Sequence, residues 1–257
     1  MEHLAQHFRQ EERLLVERAH EWAELALVRH LPQLTPFLNP REQVIIRSVA
    51  LSLSGVDVAF WGGFEQAERK RALIFPEYYL PEEEDYKLAL LQVVGKGKEG
   101  FTHRELLGSI LGLGLKREKI GDILVTGQGG QVIVDRDIKE YILLHLTKVG
   151  KTAVYTSPLE WDKLYPPKEE WEERLVTASS LRLDTVLANC VRLSRTKALG
   201  LIKGGRVQVN WKLEDSPDAL LKEGDVLSVK GYGRFLVREV EGETRKGNLR
   251  LRLGYKK

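Results

Sequence analysis

The chain has little cysteine, little methionine and no long apolar run. Cys190 is the one cysteine among 257 residues, so an internal disulfide framework and a cysteine-rich zinc site are both excluded. No stretch approaches about 18 uncharged apolar residues, which excludes a transmembrane helix. The first residues, Met1 to Arg9, contain no apolar core of the kind a secretory signal needs. A cytoplasmic, monomeric protein is the default expectation. Histidines number 6. His3 and His7 stand four apart, but no third ligand is near them and no metal is expected. No nucleophile–base pair, carboxylate pair or cofactor motif with supporting context is found, so the chain is expected to be neither an enzyme nor a cofactor carrier.

Hydrophobic residues, at 42%, are numerous enough to build packed cores. The length suggests roughly two or three domains. Net charge is only +3, but it is unevenly placed. Residues 181–257 hold 17 Lys and Arg against 9 Asp and Glu, a net of +8, whereas residues 1–180 hold 23 against 28, a net of −5. That change of sign marks a boundary and a C-terminal part that faces a polyanion.

Periodicity orders the rest into an α+β chain. Apolar residues at Leu4, Phe8, Leu15, Ala19, Trp22 and Ala26 predict one or two amphipathic helices, broken by Pro32, Pro36 and Pro40. Asn39-Pro40 predicts a capped helix to about Leu53. Val56–Trp61 and Arg71–Pro76 read as strands, and residues 1–80 as an N-terminal α+β region. From Pro81 to about residue 165 the series is strand (Tyr86–Val94), helix from Thr102 with Glu105 as a capping box, strand (Asp122–Thr126), turn, strand (Gln131–Val134), helix (Asp135–Leu146) and strand (Lys151–Thr156). This is the ferredoxin-like β-α-β-β-α-β unit. Residues 166–180, with Pro166-Pro167 and a Glu-rich run, read as a linker to a basic domain over 181–257.

In that domain Leu183, Val186, Leu187 and Cys190 make one buried helix face, with Arg182, Asp184 and Thr185 off it. Ser194 caps a second helix whose apolar face is Ala198, Leu201 and Ile202, while Arg195, Thr196 and Lys203 point outward. Gly204-Gly205 ends it, and Val207 and Val209 alternate with Arg206, Gln208 and Asn210 in a strand. Val226–Lys230 and Leu249–Leu253 complete a small sheet. A helix pair on a sheet, with basic residues at the helix ends, suits phosphate and 2′-OH recognition. The RNA-binding candidates are Arg182, Ser194, Arg195, Thr196, Lys197, Lys203, Arg206, Asn210 and Lys212, and Asp184 is expected to hold a nearby arginine by a salt bridge. Secondary candidates are Lys96, Lys98, His103, Arg104, Lys116, Arg117 and Lys119.

Arg182-Leu183-Asp184, Ser194-Arg195-Thr196-Lys197-Ala198, Ile202 to Asn210 and Gly224-Asp225 resemble the S-four RNA-binding domain, named after a small-subunit ribosomal protein. Trp211-Lys212 departs from the glycine usual after the asparagine, a departure typical of YlmH-like proteins. Upstream, Asn39-Pro40-Arg41-Glu42-Gln43, Gly62-Gly63-Phe64, Thr102-His103-Arg104-Glu105 and Lys116 to Ile123 resemble the same family. The resemblance implies a bacterial factor that binds ribosomal RNA or peptidyl-tRNA on the large ribosomal subunit, in rescue of stalled ribosomes.

Two other patterns point elsewhere. Gly95-Lys96-Gly97-Lys98-Glu99-Gly100 matches a dinucleotide-binding fingerprint, but that fold needs a helix opening inside the motif and a parallel strand after it. Arg182-Leu183-Asp184 is similar to the catalytic segment of pseudouridine synthases, yet no large domain follows it here. The rival function is an RNA-modifying enzyme with an active site hidden in the first 165 residues.

Overall fold

The computed structural model describes residues 10–96, 100–127, 129–165, 171–245 and 247–256. The chain divides into two compact units at residue 167. His3, His7 and Lys98 lie outside the described residues.

In the first unit, helix α1 (Arg13–Arg29) buries Val16, Ala19, Ala23 and Ala26, one stripe at helical spacing. Strand β1 (Gln33–Leu38) follows, then helix α2 (Pro40–Ala50). Asn39 caps α2 by accepting the Glu42 N–H at 3.0 Å, and Glu42 accepts the Asn39 N–H at 2.6 Å. Strands β2 (Val56–Trp61) and β3 (Lys70–Pro76) complete an antiparallel sheet of order β1-β3-β2. The prolines around residue 36 are not simple breakers: β1 is an edge strand with a register shift between Leu34 and Phe37, where proline is tolerated. In the shifted stretch Thr35 Oγ1 accepts the Ala72 N–H at 2.9 Å, which replaces the missing ladder bond.

The second sheet holds β4 (Leu88–Gly95), β5 (Ile120–Thr126), β6 (Gly129–Asp135), the two-residue β7 (Lys148–Val149) and β8 (Thr152–Pro158), in the order β5-β6-β4-β8-β7. Helices α3 (His103–Gly112) and α4 (Lys139–His145) give the expected β-α-β-β-α-β series, with β7 added before the last strand. The Thr102–Glu105 capping box is present, which starts α3 beyond the glycine motif. Both neighbours of β4 run antiparallel to it, so the parallel pair a dinucleotide fold requires is absent there.

Both faces of this sheet are covered. Ala89, Leu91 and Val93 meet α3 and α4 through Leu106, Ile110 and Ile142. Leu88 and Leu90 point the other way and pack with Phe37, Leu73 and Phe75 of the first sheet. The run Leu88–Leu91 is apolar at successive positions because both sides are buried. Residues 1–80 and 81–165, read as separate regions, therefore share one interior. Gly121 permits the close approach: a Cβ there would lie 2.7 Å from the Phe37 ring. Polar bonds reinforce it. Asp122 accepts the N–H groups of Glu68 and Arg69 at 2.7 and 3.0 Å. Burial raises the Asp122 pKa, against those two bonds.

The second unit begins earlier than the basic domain read from the sequence. Residues 172–178, placed in the linker, form strand β9 (Glu172–Ala178), which pairs with β14 (Leu249–Lys256). With β10 (Val207–Val209), β11 (Lys212–Leu213), β12 (Val226–Val229) and β13 (Gly233–Glu243) they make an antiparallel sheet of order β11-β10-β12-β13-β14-β9. Helices α5 (Leu183–Val191) and α6 (Arg195–Lys203) lie on one face. Leu183, Val186, Leu187, Ala198 and Ile202 pack there on Val207, Leu227, Val237, Leu251 and Leu253. Among the described residues no helix is long and apolar enough to cross a membrane.

Candidate nucleic-acid interface

Asp184, in the first turn of α5, organises the start of the helix pair. It is not off the buried side: Asp184 is 6% exposed and Thr185 8%. The loop before β12 covers them, with the Pro217 and Ala219 carbonyls accepting the N–H groups of Asp184 and Leu183 at 2.9 and 2.8 Å. The carboxylate accepts Arg182 Nε and Nη2 at 3.2 and 3.3 Å, and Arg195 Nε and Nη2 at 3.0 and 2.9 Å. The expected salt bridge thus engages two arginines. Burial pushes the Asp184 carboxyl up, but the donors of Arg182, Arg195 and Thr185 outweigh it and hold it below the usual carboxylate range. Two guanidinium groups share one carboxylate, so a positive charge remains at the site. The side chains of Arg182 and Arg195 stay 40% and 55% exposed.

Beside this trio is the N-terminus of α6. Ser194 caps it, accepting the Lys197 N–H at 3.4 Å, and Ser194, Arg195, Thr196 and Lys197 are all exposed. A helix N-terminus favours an anion through its unpaired N–H groups and its dipole. The two helices differ here, because α5 has its first N–H groups occupied by loop carbonyls. Arg182, Ser194, Arg195, Thr196 and Lys197 are therefore brought together as one cationic, donor-rich patch.

The remaining candidates scatter. Lys203 and Arg206 are exposed at the far end of α6, where Arg206 Nη2 donates to the Lys230 carbonyl at 3.0 Å. Asn210 is a framework residue. Its Nδ2 donates to Asp225 Oδ1 and its Oδ1 accepts the Val226 N–H, both at 2.9 Å. Asn210 and Trp211 form the two-residue turn between β10 and β11, with φ of 50° and 62°. A two-residue hairpin turn with both φ positive accounts for the asparagine. Trp211 takes the strained position usual for glycine, with the Arg234 guanidinium 5.8 Å from its ring centroid. Lys212 is half-buried on an edge strand.

In the first unit Lys96, His103, Arg104 and Lys116 are exposed, but Arg117 and Lys119 turn inward. Arg117 Nη1 donates to the Ile120 and Gly121 carbonyls, and burial, helped by the charge of Arg69, lowers its pKa to about 10. Lys119 Nζ lies 2.5 Å from Asp135 Oδ2, whose other oxygen faces Arg71 Nη1 at 3.4 Å. Burial pushes the Asp135 carboxyl up, and its hydrogen bonds from Lys119 and the Asp137 N–H and the charge of Arg71 bring it down overall. Sequence reasoning also passed over Arg192, the exposed left-handed cap of α5, whose only signal is its place between two helix faces.

Comparison with known proteins supplies the lineage. Residues 11–79 match the family model described as "YlmH, N-terminal", residues 81–163 "Putative RNA-binding domain in YlmH", and residues 181–227 "S4 domain". The Bacillus subtilis (strain 168) protein named ribosome-associated protein quality control protein P2 is 42% identical over 252 residues, 98% of each chain. A solved structure, the cell division protein ylmH from Streptococcus pneumoniae, superposes with a TM-score of 0.55 at 26% identity, covering 61% of this chain and 95% of that one. With three domain models matched in order and a relative aligned almost end to end, the chain belongs to the YlmH family.

Proposed function

We propose that the protein binds structured ribosomal RNA or tRNA on the large ribosomal subunit, as a non-enzymatic factor in quality control of stalled translation. The carrying observation is the Asp184 clamp, which presents Arg182 and Arg195 beside the open N-terminus of α6. Guanidinium groups and the free N–H groups of a helix N-terminus are the donors that a phosphate takes up. The S4 model over this region and the name of the Bacillus subtilis relative support the RNA and ribosome parts of the reading. The displaced ionisable groups of the first unit, Asp122, Asp135 and Arg117, have structural partners inside it, which favours binding over catalysis.

The test is RNA affinity of the full chain as a function of salt, with sequencing of RNA crosslinked to it in cells. About three to six released counterions are expected, a log–log slope of roughly −3 to −6. Arg195→Ala reduces that slope by ~1. A slope near zero, or crosslinks without ribosomal RNA or tRNA, rejects the proposal.

A further inference from the structure

The C-terminal sheet extends past the residues matched by the S4 model. Strands β13, β14 and β9 lie outside 181–227, and where they meet the C-terminal end of α5 the surface opens into a groove of about 520 Å³. That volume is enough for one small ligand in an open cleft. Arg174, Arg192, Tyr232, Arg234, Tyr255 and Lys256 line it. Glu172, 3.3 Å from Arg174, is the one acid among its described lining residues.

The aromatic part is held in place. The Arg174 guanidinium lies 4.5 Å from the Tyr255 ring centroid, and Phe235 meets that ring edge-on at 5.3 Å. Tyr232 stands in the turn before β13, 39% exposed. Arg192 enters from the helix side, and Arg234 and Lys256 enter as cross-strand partners. Four cations and two tyrosines thus surround one opening.

We propose that this groove is a second RNA site, which takes an unstacked nucleotide of single-stranded RNA with its base on Tyr232 and its phosphates among Arg192, Arg234 and Lys256. Base–aromatic stacking with backbone neutralisation is how single strands are held without duplex geometry. An acidic peptide would use the cations but not the flat faces of the tyrosines and of the Arg174–Tyr255 stack. Burial raises the Tyr255 pKa, so its ring carries no charge against the neighbouring cations. The groove is distinct from the clamp at Asp184. Arg182 and Arg192 flank opposite ends of α5, and its 9 residues separate them by about 15 Å.

The experiment uses the full chain and a ten-nucleotide single-stranded RNA carrying 4-thiouridine, with crosslink mapping and fluorescence anisotropy. The crosslink is expected at Tyr232. Tyr232→Ala weakens binding of this RNA about tenfold, and Tyr232→Phe, which keeps the ring, binds as the parent does. Equal loss in both variants, no loss in either, or equal competition by polyglutamate of the same charge overturns the proposal. If Arg195→Ala abolishes binding and Tyr232→Ala leaves it intact, the groove is rejected while the helix-pair site stands. If neither substitution weakens binding of this or of duplex RNA, both sites are rejected.

Discussion

Asp135 and Asp184 each hold two cations, and the two units use that same arrangement to opposite ends. At Asp135 one cation, Arg71, closes inward, while Lys119 reaches in from the surface with 37% of its side chain in solvent. Arg71 is 8% exposed, Lys119 lies 2.5 Å away, and the group ties the first sheet to the second. At Asp184 the carboxylate is also buried, but its arginines keep 40% and 55% of their side chains in solvent. Forming an ion pair does not remove a cation from recognition. What matters is whether its outer face stays wet. Asp184 therefore orients two arginines at the surface, whereas Asp135 holds one arginine inside the first unit.

The largest effect is expected from Arg71→Ala. It removes one of the two cations of Asp135 and leaves the buried Thr35 carbonyl without its Arg71 donor, so a fall in Tm larger than that of any surface substitution is expected, while the folded fraction binds RNA as before. Asp184→Asn comes next. It should lower Tm less than Arg71→Ala and weaken RNA binding about tenfold, because both arginines lose their anchor. Full RNA affinity in that variant would show that orientation is irrelevant. Arg195→Ala should weaken RNA binding several-fold with Tm almost unchanged, since exposed ion pairs contribute little. If it melts the protein as Arg71→Ala does, the two sites are not different in kind.

The smallest effect is in pH. Both carboxyls titrate below their ordinary value of about 4 in the folded chain, so the unfolded chain takes up protons first as pH falls. Their contribution to stability is complete above that value and is lost as pH drops through the folded values. Urea unfolding followed between neutral and acid pH should show this loss, and Asp184→Asn should flatten it for the C-terminal unit alone.

Local signals were legible and non-local ones were not. The Asn39 and Thr102 caps, the hairpin of β5 and β6, and Ser194 at the head of α6 depend on residues a few positions apart, and each stands where its side-chain chemistry requires. Strand β9 was hidden because its partner lies some seventy residues later and its charged residues suit an edge strand. Strand β1 was hidden by a proline that only a bulged edge accommodates. In the site, the order Arg182, Asp184, Ser194, Arg195 pointed to the clamp. The inward turn of Arg117 and Lys119 did not show, because a basic residue near a strand reads the same whether it faces water or a carbonyl.

The shared interior of the two sheets also sets an order of events during synthesis. Phe37, Leu73 and Phe75 emerge from the ribosome before Leu88 and Leu90, and well before Leu124 and Ile133, which complete their cover. Until β6 is made, the first eighty residues carry an incompletely covered apolar sheet face, the kind of surface that collects chaperones or aggregates. A chain truncated within that interval is therefore a target for the quality-control machinery of the cell, whatever the finished protein does.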